Sequence, residues 1–205
     1  MNITDQLTMF FRKFGEPQDN SKITPEEALA RVNDSRRFLA ILLKYYNAKD
    51  YITADGGETY WTMRDDFLGL YDTARDCVTY DGLPVELKTL AEWNSLIRGV
   101  LPLGTRRIGM LHGREFYLHP SAEDGKQIVW WIYATPPDLP AITGGDAYLT
   151  DEQAYLVVLD AAIKARGDYG ENVPATMTNE YQMLYKEVKR KARPAGPRIE
   201  NSPGV

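Results

Sequence analysis

The residues closest to a catalytic pattern in this sequence are 84–88, Pro-Val-Glu-Leu-Lys. Glu86 and Lys88 stand two apart, so on a strand both side chains project from one face. Asp76 or Asp81 upstream adds a second carboxylate to the pattern. The same spacing occurs on any ordinary strand face, however, and Asp81 belongs to an Asp81-Gly82 turn signal. A structural role for these residues carries more weight than a catalytic one.

The stretch resembles the metal-dependent PD-(D/E)xK nucleases. That resemblance implies, as the enzyme alternative, a site centred on Glu86 and Lys88 in which the acidic pair would hold a divalent metal and Lys88 would position or polarise the attacking water. Other chemistry-bearing residues are more scattered. Asp65, Asp66, Asp72 and Asp76 form an acidic run without the spacing of a calcium loop, and loop or cap roles are expected. His112 falls in a hairpin turn and His119 before Pro120, with no second ligand pair at metal spacing. Cys77, the sole cysteine, precedes Val78 in a strand-like run and reads as a buried thiol. No phosphate-binding glycine loop, dinucleotide fingerprint or nucleophile elbow is present. No cofactor and no metal are expected.

The aromatic residues raise a different question. Residues 128–133, Ile-Val-Trp-Trp-Ile-Tyr, carry large apolar groups on both faces of a strand. Trp130, Trp131, Tyr133 and Tyr117 could stack nucleobases, which makes a nucleic-acid-binding module a further alternative. That mode needs a positive groove, and Arg114 and Lys126 are balanced by Glu115, Glu123 and Asp124. Packing within a layer or between subunits is the expected role of Trp130, Trp131 and Tyr133.

The elements that would position these residues fall into three zones. Ile3, Leu7, Phe10, Phe11 and Phe14 lie at helical spacing, closed by Gly15. Thr24, Pro25 and Glu27 open a second helix reaching to about Tyr46. Its apolar arc, with Leu29, Val32, Leu39, Leu43 and Tyr46 flanked by Ala28, Phe38, Leu42 and Tyr45, is wide enough for more than one neighbour. From residue 49 the texture becomes β. Strands are expected at 51–53, 59–63, 76–80 and 85–87, the last two joined at Asp81-Gly82. A short helix follows at 90–98, then strands at 107–111 and 115–118 around His112-Gly113. Residues 114–137 read as a hairpin whose second strand is the tryptophan run. Thr150 and Gln153 open a helix through Ala165, and Thr176 or Thr178 opens the last helix to about Ala192. Residues 193–205 are rich in Pro and Gly and cannot build a core.

Composition agrees with an ordinary globular protein. The chain has 205 residues, 43% of them hydrophobic and 26% charged, with a net charge of −5. The acidic balance argues against a general nucleic-acid binder, although the C-terminal end is locally basic. The opening residues lack the basic leader and apolar run of a signal peptide, and no stretch is apolar enough to span a bilayer. A soluble product without a disulfide is expected. The fold class is α+β: a helical bundle built from both chain ends, a β-rich hairpin insert and an extended C-terminal tail. The boundaries are 1–48 for the first helices, 49–147 for the insert, 148–192 for the last helices and 193–205 for the tail, all within a single domain.

In the order of its motifs the chain resembles the head-to-tail adaptor (connector, or head-completion) proteins of tailed bacteriophages, chiefly those of short-tailed phages. Phe14-Gly15-Glu16-Pro17 after an amphipathic helix, then a capped helix ending in Leu43-Lys44-Tyr45-Tyr46, is similar to the family's opening. Asp66-Phe67-Leu68-Gly69-Leu70, the run from Tyr80 to Leu87, and Leu90-Ala91-Glu92-Trp93 are similar to its central part. Glu115-Phe116-Tyr117-Leu118-His119-Pro120 with Trp130-Trp131-Ile132-Tyr133-Ala134-Thr135-Pro136-Pro137 resembles its hairpin. Leu101-Pro102-Leu103-Gly104-Thr105 departs from it, with the Gly and Pro in reversed order. The resemblance implies a structural virion protein without catalytic activity, made in the host cytoplasm and resident at the head–tail junction. Its implied partners are the portal protein, a tail nozzle or tail fibres, and further copies of itself in a ring, typically of twelve, around the DNA channel. It implies no specific nucleic-acid recognition and no membrane. Its C-terminal arm would grip the portal, and Lys189, Arg190, Lys191, Arg193 and Arg198 are the candidate docking cations.

Overall fold

The structure is a computed structural model of the chain, and it describes residues 1–16, 21–71, 77–99, 107–142, 144–146 and 148–192. Among these residues the helices are α1 (Ile3–Phe14), α2 (Pro25–Leu43), α3 (Leu90–Ile97), α4 (Asp151–Asp168) and α5 (Ala175–Ala192). The strands are β1 (Asn47–Thr53), β2 (Tyr60–Thr62), β3 (Phe67–Leu70), β4 (Val78–Tyr80), β5 (Leu83–Pro84), β6 (Glu86–Leu87), β7 (Ile108–His112), β8 (Glu115–His119) and β9 (Gln127–Ala134). The fold is α+β. It divides into two compact units, residues 1–46 with 135–205, and residues 47–134.

The helical unit is built around α4. Ala154, Leu156, Val157, Val158, Leu159, Ala161, Ala162 and Ala165 are all buried, which covers most of the helix circumference. A helix apolar on nearly every side is a core helix. Here α1, α2 and α5 pack around it, and its alanines let them approach closely. Local signals fix the helix ends. The Asn2, Thr24 and Thr150 side chains accept the amides of Asp5, Glu27 and Gln153. Gly15 closes α1 at φ 94°, where an added Cβ would lie 2.6 Å from the Arg166 guanidinium.

Two helix ends differ from the sequence expectation. α2 stops at Leu43 because Lys44 turns left-handed (φ 50°), which releases the chain into β1 already at Asn47. α4 continues past Ala165 to Asp168. The β texture also ends earlier than residue 147. Residues 135–146 belong to the helical unit, because polar side chains of α2 hold them. Asn33 exchanges two hydrogen bonds with the Leu139 backbone, at 2.8 and 3.2 Å. Arg36 donates to the Pro137 carbonyl at 3.1 Å and pairs with Asp146 at 2.5 Å.

The β unit contains two sheets. The first has the order β1-β9-β4-β5, and β3 also pairs with β9. β1 occupies one edge of β9 from Gln127 to Tyr133, while β4 and then β3 follow each other along the opposite edge. The second sheet has the order β2-β8-β7-β6. The hairpin expected over 114–137 does not form: β8 pairs with β7 and β2, and β9 pairs with β1, β4 and β3. The residues between them carry the chain from one sheet to the other. The return strand expected at 85–87 is also corrected. The turn at Asp81 (φ 49°) and Gly82 (φ 78°) is the tight two-residue type that requires left-handed residues. It returns at once through β5, and β6 then leaves to pair in parallel with β7 in the second sheet.

Candidate functional site

The tryptophan run has a divided role. The inner face of β9 carries Ile128, Trp130 and Ile132, all buried. Trp130 meets Phe116 of the second sheet edge to face, with centroids 5.7 Å apart. Tyr133 is buried and lies 5.2 Å from the Tyr71 ring. Trp131, on the outer face, is 46% exposed, with the Lys49 ammonium 5.7 Å from its ring. The doubled tryptophans therefore serve opposite faces, one closed by the facing sheet and one open. A second aromatic group was not anticipated as a cluster. Tyr60 and Tyr117, cross-strand neighbours on β2 and β8, lie 5.9 Å apart. Trp93 of α3 stands 6.3 Å from Tyr117 and 6.4 Å from His119. Pairing of β2 with β8 creates this group, and no local spacing reveals it.

The residues with catalytic potential are held in separate ion pairs. Lys88 bonds Glu86 at 2.5 Å, and Asp81 is held instead by Lys126 at 2.6 Å. Asp65 pairs with Arg114 and Asp66 with Arg64. Asp72 and Asp76 lie outside the described residues, as do residues 101–105. His112 is exposed at a turn, and Cys77 is buried and outside any disulfide. Among the described residues no group of three or more His, Cys, Asp or Glu could hold a metal ion. Among the described residues no helix is long and apolar enough to cross a membrane.

The C-terminal end of α5 presents its cations unequally. Lys186, Lys189 and Arg190 are exposed, with Lys189 against the Tyr185 ring at 5.9 Å. Lys191 is instead tied to Glu152 at 2.6 Å and Glu187 at 3.2 Å. Arg193 and Arg198 lie outside the described residues. Beside this end, α1, α4 and α5 border an open groove of about 640 Å³ lined by Met9, Tyr155 and Leu184. Lys13, Glu180 and Tyr155 lock these three helices together. Lys13 bonds Glu180 at 2.6 Å, and Tyr155 donates to the same carboxylate. Burial disfavours both charged forms, yet these bonds outweigh it, holding Glu180 low and Lys13 high.

The largest exposed apolar residues of α2 are on its second half. Phe38, Ile41 and Leu42 are 47%, 59% and 52% exposed. The wide arc read from the sequence is thus only partly used. Ala28, Val32, Leu39 and Leu43 are buried, while Phe38 and Leu42 remain exposed, Phe38 beneath the Lys164 ammonium at 4.0 Å. Ile41 lies outside that arc, and sequence reading did not single it out.

No protein-family model and no curated protein sequence matches this chain.

Proposed function

We propose that this chain is a structural subunit of a phage head-to-tail junction, an adaptor that assembles with copies of itself below a portal and carries the tail. The motif order supports the reading, and so does a helical unit assembled from both chain ends, with the β unit inserted between them in sequence. The observation that carries it is the α2 face of Phe38, Ile41 and Leu42. Three large apolar side chains in two turns, each about half exposed or more, form the kind of patch that marks a protein contact. The exposed cations Lys186, Lys189 and Arg190 suit electrostatic docking on an acidic surface. Glu86 and Asp81 are each engaged by a lysine, Lys88 and Lys126, which favours a structural reading of these residues.

The test is co-assembly with the portal protein made by the same genome. The wild-type chain should co-purify with portal as a multi-copy ring. The double variant Phe38→Ser/Ile41→Asp should keep its circular dichroism spectrum and lose the ring. Ring formation by a folded double variant would contradict this use of α2.

A further inference from the structure

We propose that the open edge of β1 pairs antiparallel with β1 of a second copy of this chain, Tyr51 against Tyr51, and so dimerises the free subunit. The backbone directions follow from β9. The Trp131 amide donates to the Cys77 carbonyl, and the Trp131 carbonyl accepts from the Tyr71 amide, both at 2.8 Å. Both Trp131 groups thus point away from β1. Lys49 stands opposite Trp131, so its own amide and carbonyl face the free edge. Alternation puts the backbone groups of Tyr51 and Thr53 on that edge too, while Ala48, Asp50 and Ile52 bond β9. Among the described residues the one outward group with a partner is the Tyr51 amide, which the Asp50 carboxylate accepts at 3.0 Å.

An edge of this kind calls for another strand. β1 is seven residues long and its register with β9 is unbroken. The other edge strands among the described residues are shorter, with four residues in β3, three in β2 and two each in β5 and β6. None offers a matching length for head-to-tail pairing, whereas β1 matches itself. Charge then selects the register, because like charges directly opposite each other are destabilising. Full overlap sets Asp50 against Asp50, and a slip in one direction sets Lys49 against Lys49. The opposite slip sets Tyr51 against Tyr51, Lys49 against Thr53 and Asp50 against Ile52. It gives Lys49, Tyr51 and Thr53 backbone partners and pairs two aromatic rings that are 64% exposed in the single chain. The Asp50 cap on the Tyr51 amide blunts the edge against indiscriminate strands and must turn aside when the pair forms.

The inference rests on edge geometry and not on the adaptor reading. A two-fold strand pair closes at two copies, so it describes the free subunit and not the contacts of a ring. Sedimentation equilibrium on residues 1–205 should give twice the chain mass of 23.3 kDa at high concentration. Hydrogen exchange should show the Lys49 and Thr53 amides gaining protection as concentration rises. Tyr51→Pro removes one outward amide per copy, outside the β9 ladder, and should weaken association about tenfold or more. Asp50→Ala removes the cap and should tighten it. A wild-type chain that stays monomeric overturns the proposal, as does a dimer unaffected by a folded Tyr51→Pro. Should Tyr51→Pro fail to fold, association unchanged in Asp50→Ala overturns it equally. Loss of the dimer with portal attachment intact would separate this failure from failure of the adaptor reading.

Discussion

Phe116 on β8 and Trp130 on β9 meet edge to face across the two sheets, with ring planes at 82°. They are near in sequence, yet they do not belong to one hairpin. The chain changes sheets between them, and the pair closes the space between the layers. One face of the tryptophan run is thereby accounted for within the chain.

Truncating the two tryptophans should therefore give unequal results. Trp130→Ala empties a buried site and should cost about 3–5 kcal/mol in urea unfolding. Trp131→Ala loses an exposed ring with a lysine beside it, worth about 0.5–1 kcal/mol. Equal costs would contradict this division of faces.

Gly109 tests the same layer from the other side. A Cβ placed there would lie 2.7 Å from the Phe116 ring and 2.9 Å from the Val85 side chain. Gly109→Ala should destabilise by about 1–3 kcal/mol through overpacking. Combining it with Val85→Ala should recover part of that loss in a double-mutant cycle.

In the helical unit, Arg36 and Asp146 form an ion pair with both side chains fully withdrawn from solvent. Burial works against the Asp146 carboxylate, but hydrogen bonds from Arg36 and Gln6 and the Arg36 charge outweigh it and hold its pKa below the ordinary value. A depressed pKa contributes stability that is present above the unfolded value, near about 4. It is lost as pH falls through the folded value. Thermal stability should therefore decline below about pH 4, and this component of the decline should be absent in Asp146→Asn. At neutral pH, Asp146→Ala should cost about 3–5 kcal/mol, because it leaves Arg36 buried without its partner.

The cations of α5 should separate by function. Reversing Lys186, Lys189 and Arg190 together to glutamate should abolish salt-sensitive attachment to portal and leave the fold intact. Lys191→Glu should instead disturb the contact with Glu152, with a smaller effect on attachment. Attachment indifferent to the triple reversal would remove the docking role.

The helical elements were legible because their signals are local. Thr24-Pro25, Thr150 with Gln153, and Gly15 each specify a helix end through neighbours a few residues away. The β unit was legible as strands but not as sheets. Strand pairing is decided by partners far apart in sequence, such as Asn47 with Tyr133 and Trp61 with Phe116. Adjacent strands then look like hairpins whether or not they pair, as 115–119 and 127–134 show. The candidate surfaces divide in the same way. The cations of α5 and the arc of α2 could be named from the sequence. That Lys191 is engaged and Ile41 exposed depends on which neighbours α4, α1 and α5 bring.

The most direct test of the adaptor reading is a native mass measurement of portal purified with and without this chain. The account predicts a discrete added mass equal to a whole ring of 23.3 kDa subunits. Portal that emerges at its own mass, with this chain in the unbound fraction at saturating concentration, would contradict it.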